Sequence, residues 1–276
     1  QTSGLPRMPA NFAPQNALNP YADYSVEQMY AFLAGYTLTR DIGSKYEYSN
    51  LGVGLLGHIL ALRAGTDYET LVRTRIFQPL KMNDSGIKLT PGMQSHLAGG
   101  HNPALLPVPN WDLPTLAGAG AIRSTVNDML KFVAANLGLN KSPLLPAMQL
   151  AHQSRRETGI PDLDIGLNWH VFKKFDTVMV WHNGGTGGYH SFIGFDPKAR
   201  RGVVVLSNSA NDIDDIGRHL LVSQYPLAKF EAPKDRKAIK LEAKLLDTYV
   251  GEYQLAPGFA IAISREGDQL FGQATG

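Results

Sequence analysis

The spacing of apolar residues changes near residue 171, and that change limits the fold of this chain more than any other feature. Upstream, apolar side chains recur at helical intervals: Met29, Phe32 and Leu33 behind a Ser25/Gln28 capping box, Leu51, Leu55, Ile59 and Leu60 over 51–63, and Met129, Phe132 and Val133 over 126–137. Another amphipathic helix is predicted over 68–77, closed by Pro79. Downstream, 178–181, 191–196 and 202–208 are β-rich runs. Pro197-Lys198-Ala199-Arg200-Arg201 joins the last two as an antiparallel hairpin, and 212–224 reads as a helix. Residues 1–24, rich in Pro, Asn and Ala, and the Pro- and Gly-rich 86–114 carry no period, and a loop as long as the second tends to line a site.

After residue 230 the composition shifts. A charged, Pro-containing stretch at 231–240 reads as a linker. It is followed by a helical 241–249 and by strands at 251–253 and 259–271 that turn at Glu266-Gly267-Asp268. The expected organisation is one domain over 1–230, a linker at 231–240 and the opening of a small β-rich domain over 241–276, cut short. The start, Gln1-Thr2-Ser3-Gly4, has neither an initiator Met nor a signal pattern, so it too is expected to be a cut.

Composition narrows the function classes. Basic residues number 26 against 24 acidic, and they are scattered apart from Lys198, Arg200 and Arg201, so no stripe follows a phosphate backbone and nucleic acid is not an expected partner. The absence of cysteine removes disulfides, thiolate metal sites and cysteine nucleophiles together. No apolar run reaches the roughly 18 to 20 residues of a membrane span.

Two short motifs can carry chemistry. In Tyr48-Ser49-Asn50, at the mouth of the helix over 51–63, residues two apart project to one side, so Tyr48 and Asn50 can address one ligand while Ser49 points away. A phenol shuttles protons near neutral pH only beside a cation, so this motif asks for a Lys or His nearby. The same residues also read as an ordinary helix entrance, with Asn50 as N-cap and Gly65 as C-cap. In Trp181-His182-Asn183-Gly184-Gly185-Thr186-Gly187-Gly188-Tyr189, four glycines in five positions let a ligand approach the main chain and leave N–H groups free for an oxyanion, with His182 placed as acid, base or hydrogen-bond donor. The alternative is a glycine-rich turn between strands. His101, His152, His170, His182 and His190 show no metal-ligand spacing, so no metal and no cofactor is expected, and a metal hydrolase built on His101, His182 and His190 is the weakest reading.

It is the series of segments that resembles a family. Tyr48-Ser49-Asn50 with Leu51-Gly52-Val53-Gly54-Leu55-Leu56-Gly57, then Ile76-Phe77-Gln78-Pro79-Leu80-Lys81-Met82, then Gly118-Ala119-Gly120-Ala121-Ile122-Arg123-Ser124-Thr125, then His182-Asn183-Gly184-Gly185-Thr186-Gly187-Gly188-Tyr189, is similar to the serine β-lactamase and penicillin-binding-protein superfamily. The branch resembled holds class C enzymes, related esterases and D-amino-acid peptidases, and the matching order covers roughly residues 1–225.

The resemblance implies an α+β fold, an antiparallel sheet flanked by helices beside a mainly helical region, with the site between them. It also implies acyl transfer on a small-molecule or peptide substrate (an ester, a D-amino-acid peptide or a β-lactam), and a periplasmic or secreted location. By that match Tyr48 takes a proton role and Asn50 holds the substrate's amide or carbonyl. His182 and Gly184 stand where many relatives have Lys-Thr-Gly, Gly185 N–H is an oxyanion donor, and Asn183, Thr186 and Tyr189 line the substrate. His182 in place of Lys favours an ester or peptide, because a neutral imidazole holds a carboxylate less firmly than an ammonium does.

One departure limits what the chain can do. The family's Ser-x-x-Lys nucleophile lies many tens of residues before Tyr-x-Asn. Only 47 residues precede Tyr48 here, and in them Ser3, Ser25 and Ser44 are followed three later by Pro6, Gln28 and Glu47. The single match, Ser85-Gly86-Ile87-Lys88, comes after Tyr48 in a loop segment and is read as chance. The expectation is therefore a serine hydrolase whose nucleophile segment is absent from this chain, which alone does not turn over substrate. The alternative is a non-catalytic relative that binds ligands in the same cleft. Helices of the absent segment would leave apolar surface exposed, a patch that favours association into homo-oligomers.

Overall fold

Ser25 starts the first helix as the sequence dictates: its hydroxyl accepts the Gln28 N–H while the Gln28 side chain returns to the Ser25 N–H, and α1 (Val26–Gly35) follows. The computed structural model describes residues 1–229, 239–256 and 259–275, and the chain divides into two compact units, Gln1–Ala228 and Lys229–Gly276.

In the first unit α2 (Asn50–Ala64) is capped by Ser49, not by Asn50: the Ser49 hydroxyl accepts Gly52 N–H at 2.8 Å, and Asn50 is already helical. Gly65 closes the helix in the left-handed conformation at φ 66°. The buried face also differs from the apolar stripe. Leu51, Gly54, Gly57 and Ala61 are inside, while Ile59 and Leu60 are 48% and 46% exposed. The reason is close approach to the 3-10 turn Ala117–Ala119, where a Cβ on Gly57 would meet the Gly118 Cα at 2.9 Å. Only small residues fit that contact, so the large ones turn outward, and Leu56 and Leu62 are exposed as well.

Next come α3 (Tyr68–Val72), which runs into a π-helical turn Arg73–Phe77, α4 (Pro91–Ser95), and the two-strand hairpin β1 (Gly100–His101) and β2 (Pro107–Val108) inside the long excursion. Then α5 (Val126–Asn136), capped by Thr125, packs Met129 and Phe132 on Val72, Phe77 and Met82. The pattern gave no sign of α6 (Leu145–His152).

The sheet has six antiparallel strands in chain order: β3 (Arg156–Ile160), β4 (Leu163–Ile165), β5 (His170–Lys174), β6 (Thr177–Thr186), β7 (Tyr189–Asp196) and β8 (Arg201–Ser207). Alternation along its strands builds two cores. Val180 and Phe195 meet Val133 of α5, whereas Met179, Trp181 and Phe192 meet Leu221 at the end of α7 (Asp214–Leu221). The sheet is thus flanked by helices, beside the helical region formed by α1 to α5.

Among the described residues of the second unit, α8 (Ala243–Asp247) precedes an antiparallel sheet of β9 (Gly251–Ala256), β10 (Phe259–Glu266) and β11 (Gln269–Thr275), ordered β11-β10-β9. Most of the predicted linker lies outside the described residues.

Candidate active site

Tyr48, Asn50, His182, Asn183, Gly184, Gly185, Thr186 and Tyr189 all line one cleft of about 1750 Å³ in the first unit, between the entrance to α2 and the end of β6. Gln1 and Arg7 contribute to one wall, tied in by main-chain bonds: Glu47 N–H donates to Gln1 O and Leu51 N–H to Arg7 O. The Ser49 hydroxyl is buried and donates to Pro6 O at 2.6 Å, so it faces away from the cleft as the spacing predicts. The Arg7 guanidinium lies 5.1 Å from the centre of the Tyr48 ring, a cation–π contact. The Asn50 amide donates to the Tyr21 hydroxyl at 3.4 Å.

On the opposite wall, the expected glycine-rich loop is mostly strand. His182-Asn183-Gly184-Gly185-Thr186 continues β6 in register with Tyr189–Ile193, and only Gly187 and Gly188 form the turn. His182 Nδ1 sits 2.6 Å from Asn183 O. A carbonyl only accepts, so the proton is on Nδ1 and Nε2 keeps its lone pair. Burial lowers the His182 pKa, which favours the neutral ring, whose Nε2 can accept a hydrogen bond. The ring stacks on His170 with centroids 5.2 Å apart. Burial above all, then the neighbouring His182 and Arg218, takes His170 down to about 4. Among the described residues no hydrogen bond joins His182 to Tyr48.

The four glycines divide their work. A Cβ on Gly187 would lie 2.5 Å from the Trp111 ring and one on Gly188 2.6 Å from Val108, so these two admit the 100–111 excursion. Nothing lies within 4 Å of a Cβ on exposed Gly185, whose side toward the cleft is open. The Tyr189 hydroxyl is held by Ala98 O at 2.5 Å and Asn110 Oδ1 at 2.6 Å, fixing the same excursion. The Asn183 side chain turns from the cleft to Asp214, with Nδ2 donating to Oδ2 at 2.7 Å.

Ser85 is buried, and its hydroxyl contacts Asp128 Oδ2 at 2.9 Å and Ser124 Oγ at 2.8 Å, while Lys88 N–H donates to Glu69, so this Ser-x-x-Lys is structural. His101 bonds Asn208 O and His190 bonds Asp214, which gives the three histidines of the metal reading separate partners. Among the described residues, His190, Asp212 and Asp214 alone bring potential metal ligands within 4.8 Å, and Asp214 Oδ2 already accepts from Asn183 and Arg218.

The Beta-lactamase family model matches residues 1–224. The chain belongs to the β-lactamase family. It is 27% identical over 201 residues to a β-lactamase of Escherichia coli (strain K12), covering 60% of this chain and 52% of that protein. It is 26% identical over 254 residues to a penicillin-binding protein of Bacillus subtilis (strain 168), covering 83% and 55%. A solved class C β-lactamase superposes with a TM-score of 0.65 at 25% identity over 77% of this chain and 63% of its own. A β-lactamase/D-alanine carboxypeptidase from Pseudomonas syringae, at 21% identity and a TM-score of 0.62, shares the fold. The chain spans little more than half the length of these two sequence relatives. Members of this β-lactamase family are serine hydrolases.

Sequence reasoning missed Arg7, His170 and Asp214. Asp214 carried one signal: strand alternation puts Asn183 on the Met179–Trp181 face, where an acceptor has to wait for it.

Proposed function

We propose that this chain carries the proton-transfer and oxyanion walls of a serine acyl-transfer site, and that a Ser-x-x-Lys outside these 276 residues supplies the nucleophile. The observation that carries the reading is the convergence of Tyr48, Asn50, His182 and Gly185 on one cleft in a β-lactamase-family chain. The nucleophile hydroxyl attacks a carbonyl carbon while Tyr48 with the upstream Lys takes its proton and the Gly185 N–H steadies the developing oxyanion; collapse of that intermediate breaks the ester or amide bond, and the departing alcohol or amine receives the proton, which leaves an acyl-enzyme. His182, neutral with a free Nε2 lone pair, accepts a hydrogen bond at the reacting end, and water then releases the acyl group. A site without a second ammonium favours an ester or D-amino-acid peptide over a β-lactam. Tyr189 and Asn183 shape the wall through the partners that hold them, and Thr186 lines the substrate. An exported location goes with this reading.

The test compares the full-length gene product with its Tyr48→Phe variant on p-nitrophenyl esters, D-alanyl peptides and a chromogenic cephalosporin. Loss of the phenol is expected to slow turnover by roughly 10²- to 10⁴-fold. Equal rates would remove Tyr48 from the mechanism. The second reading, a binding protein without catalysis, is favoured by the buried state of Ser85, and ligand binding without turnover by the full-length product would establish it.

A further inference from the structure

Asp214 opens α7, is 4% exposed, and points its carboxylate at the sheet. A carboxylate so placed is costly unless donors surround it, and here they do. Oδ2 accepts Asn183 Nδ2 at 2.7 Å and Arg218 NH2 at 3.1 Å, while Oδ1 lies 3.3 Å from His190 Nε2. An i,i+4 pair with Arg218 alone could face solvent, but this carboxylate is turned inward, and its shortest contact is to the strand. Arg218 in turn lies 4.5 Å over the ring of Trp181, two residues before Asn183. Asn183 then bonds in two directions: its side chain is held by Asp214, and its carbonyl receives the His182 Nδ1–H at 2.6 Å.

We propose that Asp214 is a positioning residue that acts through Asn183, fixing the main chain of the strand edge and with it the tautomer that leaves His182 Nε2 free toward the cleft. Asp214 itself does not line the cleft, whereas Asn183 does, so the carboxylate acts on the site through Asn183. The purpose of this arrangement rests on the acyl-transfer reading; its geometry does not. Which nitrogen of an imidazole carries the proton is set by the hydrogen bond the other one makes, and for His182 that bond is to the Asn183 carbonyl.

The experiment uses the 276-residue chain, 15N-labelled, at a pH where His182 is neutral, with Asp214→Asn, Asp214→Ala and Arg218→Gln variants. In the unaltered chain the His182 ring nitrogens are expected to show a single Nδ1–H tautomer, and the Asn183 side-chain protons to lie downfield and exchange slowly. Asp214→Asn, nearly isosteric, is expected to shift the Asn183 protons toward the free-amide position and the His182 nitrogens toward a tautomer mixture. Asp214→Ala, where it folds, does the same more strongly. Arg218→Gln removes the ion pair and the cation over Trp181 but not the Asp214–Asn183 bond, and is expected to leave both signals in place. Unchanged Asn183 and His182 signals in Asp214→Asn, with only a lower unfolding temperature, would overturn the proposal and leave Asp214 a fold contact. Failure of the full-length product to form an acyl-enzyme would strike the functional reading and leave this result standing.

Discussion

The imidazole of His170 lies flat against that of His182, with ring centroids 5.2 Å apart and planes 6° from parallel. Burial disfavours charge on either ring, and His152, against Asn136 on α5, is likewise taken by burial to about 4. These folded-state values lie below the ordinary 6.5, so between the two the unfolded chain binds more protons. Stability of the first unit is therefore expected to be full above pH 6.5 and to fall as pH drops from 6.5 to about 4. Urea midpoints across that range, with NMR titration of the His170 ring, check this; a His170 midpoint near 6.5 would contradict it.

Gly188 and Gly185 are expected to respond oppositely to alanine. Gly188 has φ +76° and no room beside Val108 and Gly100, so Gly188→Ala should cost about 1–3 kcal/mol in denaturant unfolding. Gly185→Ala meets open space and should change stability by less than about 0.5 kcal/mol. Its effect should appear instead as weaker ligand capture by the full-length product.

The inner face of α2 can be checked in the same way. Gly57→Ala pushes a methyl into the Gly118 backbone and should destabilise by about 1–3 kcal/mol. Ile59→Gln, on the exposed side, should stay within about 0.5 kcal/mol. The reverse order would restore the helix face read from the leucines.

Asp128, with no exposed surface, accepts from Asp84 N–H, Ser85 and Lys131. Asp128→Ala strands the first two donors and should cost about 2–3 kcal/mol by chemical unfolding. Lys131→Ala should cost less, because that amine is partly solvated and contributes a surface-type pair.

What the sequence revealed was what local chemistry decides. The Ser25 capping box and the hairpin between β7 and β8 depend on residues a few positions apart, and they formed as read. The α2 face was misread because hydropathy counts leucines, while the contact with Gly118 selects the smallest residues. The segment from His182 to Thr186 was expected as a loop because glycines count as breakers, yet pairing with β7 keeps it in the strand. Arg7 over Tyr48 and Asp214 beside Asn183 join residues 41 and 31 positions apart, beyond the reach of any periodicity.

The central claim is that the nucleophile of this site lies outside the 276 residues. Intact mass and peptide mapping after a fluorophosphonate or penicillin probe test it most directly. The account predicts one adduct on an upstream Ser-x-x-Lys serine of the full-length gene product and none on this chain. An adduct on Ser85 or any other serine of this chain, or none on either protein, would contradict it.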